Sequence, residues 1–353
     1  MSTLIKQCIY LKGTEPELLF ESQEHIFPAG IGGIQKLPLE YVSHNANNAF
    51  SALELGFMRN SILMLPRQFY GPGKRGNLSP KKASKSTVSL MTAVSAPESI
   101  EFGYMSLGKP YSIAQIKINV STRECGLMFD QSFGDASTQM QNFISKLGEY
   151  NNKYFLYEDE RFSPDEFILG FQDNRWYLGL SNLKLIPEIQ GCIKRLLDQT
   201  SFDNQVPQYG QSQPKVEQII QMNNDFFRVC AKVIFNYLAY IKGRDFVLQE
   251  KFDPIRNWIV NGGEQNFATL SGKEQILKSY FSSINCPEKA HKILILQDGS
   301  YLFGVISFYG GFETIVQLSD NYKEYFEAEG FICNWEEREE YSLKDFLINK
   351  LQE

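Results

Sequence analysis

Cysteine and histidine are scarce in this sequence, and the cysteines do not form the pairs that metal motifs require. The chain has six cysteines and three histidines among 353 residues, and no two cysteines are close enough to form a C-x-x-C pair. Cysteines scattered in this way are typical of reduced, buried thiols. We therefore expect no disulfide framework and no cysteine nucleophile.

Long apolar runs are absent as well. No stretch approaches the roughly 18–20 apolar residues that cross a bilayer, and residues 1–13, MSTLIKQCIYLKG, lack the apolar core and cleavage pattern of a secretory signal. Hydrophobic residues make up 43% of the chain and charged residues 22%, close to globular averages. We expect a soluble, cytoplasmic protein with no membrane partner, and the length predicts two or three domains.

Acidic residues are missing from residues 55–97, although the whole chain has a net charge of −6. This stretch has a net charge of +7, whereas residues 311–353 hold eleven acidic and four basic residues. A basic segment in an acidic protein is a candidate for phosphate contact, and Phe69 and Tyr70 within it could stack on a base. The alternative is a solvated loop. The candidate nucleic-acid ligands are Arg67, Lys74, Arg75, Lys81, Lys82 and Lys85.

The N-terminal pattern predicts two short strands followed by a helix. The strands are expected at residues 6–11 and 24–28, and a glycine-rich turn follows at residues 29–33. A helix is expected from about residue 46 to 60, with Asn45 or Ser43 as its N-cap. Residues 69–80 contain too much glycine and proline for regular structure and predict an exposed basic loop.

The remaining chain predicts a mixed α/β accessory region, so the expected fold class is α+β. Residues 86–182 have strand-like patterns with one helix near residues 137–147, and the polar residues 199–215 are the expected linker. Further helices are expected at residues 184–197, 216–242 and 254–260, strands at 291–296, 301–310 and 314–319, and an acidic tail after them. The domains predicted are residues 1–65, 66–198 and, after the linker, 216–353.

One motif in the N-terminal region carries a functional signal. The string Glu24-His25-Ile26-Phe27-Pro28 is followed by Gly32-Gly33 and then by Asn47-Asn48, with His25 and Asn47 22 residues apart. These residues resemble the HNH endonuclease family, in which an acidic residue and a histidine precede a Gly-Gly turn and a helix that opens with a His or Asn ligand. Weaker similarity to longer bacterial members, some linked to phage defence, lies in LPRQFYGPGKRG, RVCAKVIFNYLAYIKG and FDPIRNWIVNGG.

The resemblance implies a ββα-metal nuclease module in residues 1–65. It implies that His25 is the general base, and that Glu24 and Asn47 hold one divalent cation, Mg²⁺ or Mn²⁺, with Asn48 as the reserve ligand. A histidine suits the first role because its ordinary pKa is near 6.5, and oxygen ligands suit hard cations. The implied reaction is phosphodiester hydrolysis in DNA by an effector of a bacterial defence system.

Two departures from the family pattern leave alternatives open. Many relatives hold the module together with zinc on two C-x-x-C pairs, but the corresponding positions here are Cys8, Leu11, Ser43 and Ala46, so we expect no structural zinc. Residues 44–48 read His-Asn-Ala-Asn-Asn, so the sequence leaves open whether Asn47 or Asn48 matches the ligand position of the family. Glu24 could be a solvated carboxylate and the asparagines ordinary caps.

The rival interpretation is a degenerate HNH scaffold that serves as a nucleic-acid- or protein-binding subunit of a defence complex. The accessory region could then dock a partner protein or mediate self-association. A metabolic enzyme is a third interpretation, but we find no cofactor fingerprint. The string Gly-Pro-Gly-Lys-Arg-Gly lacks the spacing of a phosphate-binding P-loop.

Overall fold

The computed structural model describes residues 6–93, 96–199, 214–216, 222–264, 267–272, 275–282 and 284–350. The chain forms two compact units, one from residues 1–84 together with 220–353 and the other from residues 85–219. The second unit is therefore inserted into the first. Both helices and sheets are present, so the expected α+β class is confirmed.

The larger unit combines helices with one antiparallel sheet. Its helices are α1 (His44–Asn60), α2 (Met64–Tyr70), α5 (Asn224–Lys242), α6 (Arg244–Val247), α7 (Asp253–Asn261), α8 (Ile276–Phe281) and α9 (Leu343–Lys350). The sheet has the strand order β10-β13-β12-β11-β14-β15. These strands are β10 (Ala268–Leu270), β11 (His291–Asp298), β12 (Tyr301–Phe308), β13 (Gly311–Ser319), β14 (Glu329–Asn334) and β15 (Glu339–Ser342).

Both faces of this sheet are buried, which explains the nearly continuous apolar runs of β11 and β12. Along β11, Ile293 and Ile295 belong to the core that includes α5 and the N-terminal residues, while Leu294 joins α8 and α9 on the other face. Helix α5 lies very close to the sheet at Gly304, where an added Cβ would be 2.3 Å from Ile234. The sheet thus fixes the position of α5.

Helix α5 is shorter than the sequence predicts. It begins at Asn224, where the Asn223 side chain accepts from the Phe226 N–H, and it ends before Gly243, whose φ is 86°. The prediction of a helix from residue 216 is wrong at its start, because Val216 lies in a strand paired with Met91. Residues 217–221 lie outside the described residues.

Within the described residues, the inserted unit contains two sheets and two α-helices. One sheet has the order β3-β2-β1-β9 and the other β5-β4-β7-β8-β6, and β6 and β8 are parallel. The helices α3 (Ala136–Gly148) and α4 (Ile189–Gln199) pack on the second sheet. The strands are β1 (Ser89–Ala93), β2 (Ala96–Ser106), β3 (Lys109–Ser112), β4 (Ala114–Asn119), β5 (Cys125–Met128), β6 (Tyr154–Glu158), β7 (Glu166–Gln172), β8 (Arg175–Leu180) and β9 (Pro214–Val216).

Two further predictions need correction or qualification. Residues 6–11 form no regular strand. Gln7 forms an isolated β-bridge with Thr14. The Lys12 N–H donates to the Cys8 carbonyl at 2.9 Å, which closes a turn. Most of the predicted linker, residues 200–213, lies outside the described residues. The last part of that linker, at Pro214, already belongs to β9. No helix in the described part of the chain is long and apolar enough to cross a membrane.

Candidate functional site

A minimal hairpin presents the Glu24-His25 pair. The Ile26 N–H donates to the Gln35 carbonyl at 2.9 Å, the Leu37 N–H donates to the Glu24 carbonyl at 2.8 Å, and His25 pairs with Lys36. Ile26 is fully buried, whereas His25 is half-buried. The hairpin is therefore held by the core through Ile26, and it leaves the His25 imidazole at the surface.

The two glycines of the motif are required by the turn of this hairpin. Gly32 has a φ of 102°, a conformation that disfavours side chains. At Gly33, an added Cβ would lie 1.9 Å from the Phe27 carbonyl oxygen. Beside them, the His291 Nε2–H donates to the Ile31 carbonyl at 3.0 Å, while His291 Nδ1 accepts from the Tyr309 N–H at 3.1 Å. The turn is thereby fixed to the six-stranded sheet.

His291 should make the protein acid-sensitive. Burial lowers its pKa to about 3, so it is neutral in the folded protein, while the unfolded pKa is near 6.5. The stability that depends on the neutral ring is present above pH 6.5 and is lost as the pH falls below 6.5 toward 3. Between pH 7 and pH 5 this protonation is expected to lower the free energy of unfolding by about 2 kcal/mol.

Urea unfolding at pH 7 and pH 5 measures this loss. We expect His291→Gln to be less stable than the wild type at pH 7 but to lose less stability on acidification. The partly exposed His44, changed to Gln, is the matched control, and we expect this variant to lose as much stability on acidification as the wild type. Equal acid losses in the wild type and His291→Gln would contradict the role of His291.

Helix α1 places Asn47 and Asn48 in different surroundings. It begins at His44, and the Ser43 hydroxyl accepts from the Ala46 N–H, so the N-cap is Ser43 rather than Asn45. The Asn47 amide donates to Ser22 Oγ at 2.9 Å, toward the segment that enters the hairpin, whereas the exposed Asn48 donates to His44 Nε2 at 2.8 Å. Asn47 therefore contacts the segment before the hairpin, whereas Asn48 does not.

The Glu24 carboxylate does not face solvent. It contacts the ammonium group of Lys232 on α5, which also contacts the Glu54 carboxylate of α1. The side chains of Lys232, Glu24 and Glu54 are 1%, 6% and 18% exposed. The hairpin, α1 and α5 therefore meet at one buried cation, and Glu24 is not the solvated strand-end carboxylate that the sequence left as an alternative.

The two carboxylates control the charge of Lys232. Burial alone would lower the pKa of Lys232, but the attraction of Glu24 and Glu54 raises it above its ordinary value, so the ammonium stays charged. Burial raises the pKa of Glu24, and repulsion by Glu54 adds to this rise against the opposing attraction of Lys232. The cluster as a whole contains two acids and one base.

The His25 imidazole is suited to accept a proton. Burial lowers the pKa of His25 below its ordinary value, and the nearby Lys36 and Lys232 act in the same direction against Glu54. The ring is therefore neutral at pH 7. Its backbone is fixed because the His25 carbonyl accepts from the Asn236 amide at 2.9 Å, and the Asn236 oxygen accepts from the Tyr10 hydroxyl at 2.6 Å.

Two of the four positions at which the family resemblance predicts zinc ligands, Cys8 and Ser43, are in contact. Cys8 Sγ accepts from the Ser43 N–H at 3.4 Å, from the Ser43 hydroxyl at 3.4 Å and from the Leu11 N–H at 3.5 Å. The Ala46 N–H donates to the Ser43 hydroxyl at 3.4 Å. Hydrogen bonds around a fully buried Cys8 thus hold together the loop and the start of α1.

The basic segment is more buried and more hydrogen-bonded than the exposed loop that the sequence predicts. Arg67 is half-buried and its Nε–H donates to the Gly30 carbonyl at 3.0 Å, so it braces the hairpin turn. Gly73 and Gly76 are buried, but the four basic residues around them, Lys74, Arg75, Lys81 and Lys82, are exposed. Lys85 belongs to the inserted unit and lies 4.9 Å from the centre of the Tyr104 ring.

The donor set has the chemistry that a hard divalent cation needs. Glu24 and Glu54 direct carboxylates at one positive group, the Lys232 ammonium, and Asn47 lies in the first turn of the helix that carries Glu54. Within the described residues, no group of three or more His, Cys, Asp or Glu side chains is placed to hold a metal.

The sequence reasoning missed Glu54 and Lys232. Glu54 lies seven residues after Asn47, close to two helical turns and therefore on the same face of α1. Lys232 stands in the middle of the apolar run VCAKVIFNYLAY, where a charged residue indicates a buried partner. Both features are visible in the sequence, but neither shows that Glu54 and Lys232 contact each other.

Comparison with known proteins found no match for this chain among family models, curated proteins or solved structures.

Proposed function

We propose that this chain is an HNH-type endonuclease that hydrolyses phosphodiester bonds in DNA, with His25 as the general base. The observation that supports the proposal best is the half-buried, neutral His25 on a hairpin fixed against α1 and α5, next to the Glu24–Glu54 carboxylate pair. A neutral, half-buried imidazole can accept a proton from water near neutral pH. On the same family resemblance, the setting we propose is cytoplasmic defence against phage.

In this proposal each residue has a separate task. The His25 imidazole removes a proton from the attacking water, and the Asn236 hydrogen bond holds its backbone in place. Glu24 and Asn47 would hold Mg²⁺ or Mn²⁺, which would neutralise charge on the scissile phosphate. The exposed basic side chains around Gly76 would bind the flanking DNA backbone, while Arg67 supports the hairpin turn.

Nicking of a supercoiled plasmid tests this function. We expect nicked product with Mg²⁺ or Mn²⁺ and none with excess EDTA, and we expect a duplex DNA substrate to be cleaved in preference to RNA. A protein that binds DNA but leaves the plasmid intact in both metals would overturn the proposal.

The second candidate function is a degenerate HNH scaffold that binds nucleic acid or protein. The observation that favours it is the contact of the Lys232 ammonium with Glu24, which places a protein cation on a residue that the family uses for metal. The replacement of three expected zinc ligands by Leu11, Ser43 and Ala46 points in the same direction. Metal-independent DNA binding without cleavage is the outcome that this candidate predicts.

Removal of charge from the basic segment should weaken DNA binding in a salt-dependent way. Each neutralised phosphate contact contributes about 0.9 to the slope of log affinity against log salt. Replacing Lys74, Arg75, Lys81 and Lys82 with serine is therefore expected to flatten that slope by about two to four units. Duplex binding measured by fluorescence anisotropy over a range of salt concentrations provides both affinity and slope.

The control for this experiment removes the same number of charges elsewhere. Lys109, Lys153, Lys184 and Lys194 are exposed on the inserted unit, and their replacement by serine should change the slope much less. Equal slopes for the wild type and the basic-segment variant would show that the segment is a solvated loop.

A further inference from the structure

Two aromatic side chains are exposed at the end of α2. Phe69 and Tyr70 are 48% and 52% exposed, and their ring centres lie 6.4 Å apart with the ring planes inclined by 55°. The helix ends at these rings, and Gly71 follows with a φ of 100°. A single exposed apolar side chain is ordinary on a protein surface, but two adjoining rings form an apolar patch. Such a pair indicates a binding partner that itself has a flat, aromatic surface.

A loop with four exposed cations follows these rings directly. The Gly73 N–H donates to the Asn77 carbonyl at 2.8 Å, and an added Cβ at Gly73 would lie 1.9 Å from the Lys82 carbonyl oxygen. The two ends of the loop are therefore packed together, which gathers its exposed basic side chains. These side chains are Lys74, Arg75, Lys81 and Lys82. Since residues 55–97 contain no acidic residue, the loop offers a concentrated positive charge to phosphates.

Both the rings and the loop are fixed to the hairpin turn. On α2, the Arg67 Nε–H donates to the Gly30 carbonyl at 3.0 Å. In the loop, an added Cβ at Gly76 would lie 2.8 Å from the Ala29 carbonyl oxygen, so the two backbones are in contact. The rings, the four cations and the hairpin that presents His25 are therefore connected parts of the larger unit.

An exposed ring distinguishes an unpaired base from a paired one. In a duplex both faces of each base are covered by the neighbouring base pairs, so a protein ring stacks only on a base that is outside the stack. Phosphates, by contrast, are available to cations in both forms of DNA. Lys289 Nζ lies 4.5 Å from the centre of the Tyr70 ring, which places a further positive charge at the aromatic pair. Exposed rings combined with cations are typical of surfaces that bind single strands.

We propose that Phe69 and Tyr70 form a stacking site for an unpaired base, and that the DNA bound by this chain therefore carries a single-stranded segment. This inference rests on the proposed DNA-directed function and names its substrate class. The four exposed cations of the loop bind the phosphates of the strand, and the rings cover the base. A fully paired duplex makes the phosphate contacts alone and binds more weakly.

The fluorescence of 2-aminopurine in excess EDTA tests the inference without cleavage. The probe is a duplex with a central bubble of mismatched bases that includes 2-aminopurine, and the reference is a fully paired duplex of the same length and charge. We expect the wild type to bind the bubble about tenfold more tightly than the paired duplex, the gain typical of one stacked base. We also expect binding to quench the 2-aminopurine, because the base stacks on a ring.

Phe69→Ala combined with Tyr70→Ala should remove the preference for the bubble and the quenching. Phe69→Trp retains a flat ring and should keep both. The matched control is Phe133→Ala combined with Phe155→Ala, since these two side chains are each 50% exposed on the inserted unit, and it should keep the wild-type preference. Replacing the four cations with serine should weaken binding to both DNAs and preserve the preference, because the rings remain.

The outcomes separate this inference from the proposed function. Equal affinity of the wild type for the two DNAs, or a preference that survives removal of both rings, would overturn the inference even if the protein cleaves DNA. A ring-dependent preference in a protein that never nicks a plasmid would support the inference and refute the nuclease. A protein that binds neither DNA would overturn both.

Discussion

Lys232→Met is expected to lower the free energy of unfolding by about 3–5 kcal/mol, because it leaves two carboxylates without their buried cation. Methionine retains much of the apolar stem of lysine, so the loss would report the missing charge rather than a large cavity. The Glu24 side chain is only 6% exposed and cannot recover its hydration in place. The cluster also joins three elements, so its loss weakens the attachment of the hairpin to α5.

Urea unfolding in EDTA at pH 7, followed by far-UV circular dichroism, provides the measurement. The control Lys242→Met removes an ion pair whose side chains are 29% and 32% exposed, and we expect it to cost less than about 1 kcal/mol. A second variant, Lys232→Met with Glu24→Gln, should recover part of the loss because one unpaired charge is gone. Equal losses for the two single lysine variants would contradict a structural role for the buried cluster.

His25→Ala is expected to reduce the rate of DNA cleavage by about 10²–10⁴-fold, because the attacking water loses its proton acceptor. The fold should change little, since the imidazole is half-buried and its backbone carbonyl still accepts from Asn236. We expect the free energy of unfolding to stay within about 1 kcal/mol of the wild type. Single-turnover cleavage at saturating protein and metal isolates the chemical step from binding.

His44→Ala is the matched control for this substitution. His44 lies at the start of α1, is also partly exposed, and bonds to Asn48. We expect His44→Ala to cleave at the wild-type rate. Retention of the wild-type rate by His25→Ala would refute the proposed general base, and loss of activity in both variants would indicate a structural cause.

The start of α1 and the glycine turn of the candidate site were predictable from the sequence because short-range patterns determine them. The strand expected at residues 24–28 is wrong, since only an isolated bridge joins His25 to Lys36 there. Ser43 caps α1 at the expected place, and the glycines at 32 and 33 mark a turn that tolerates no side chain at Gly33. The helix over residues 137–147 corresponds to α3, and the strands at 291–296 and 301–310 correspond to β11 and β12. Each of these signals lies within a few residues of the feature it predicts.

The errors arise where distant residues decide the structure. Residues 6–11 resemble a short strand in sequence. In the structure the buried Cys8 Sγ instead accepts from the N–H groups of Leu11 and Ser43, and the chain turns here. Val216 continues an apolar helical pattern, yet it pairs with Met91 in the inserted unit. The discontinuous first unit could not be predicted either, because the Lys232 contacts with Glu24 and Glu54 span 208 and 178 residues.

Anomalous diffraction from crystals soaked in Mn²⁺ tests most directly whether the hairpin, α1 and α5 build a nuclease metal site. We predict one manganese peak within bonding distance of the Glu24 carboxylate and beside the His25 imidazole. The absence of such a peak at saturating Mn²⁺, with Lys232 still contacting Glu24 and Glu54, would contradict the metal-dependent nuclease and favour the degenerate scaffold.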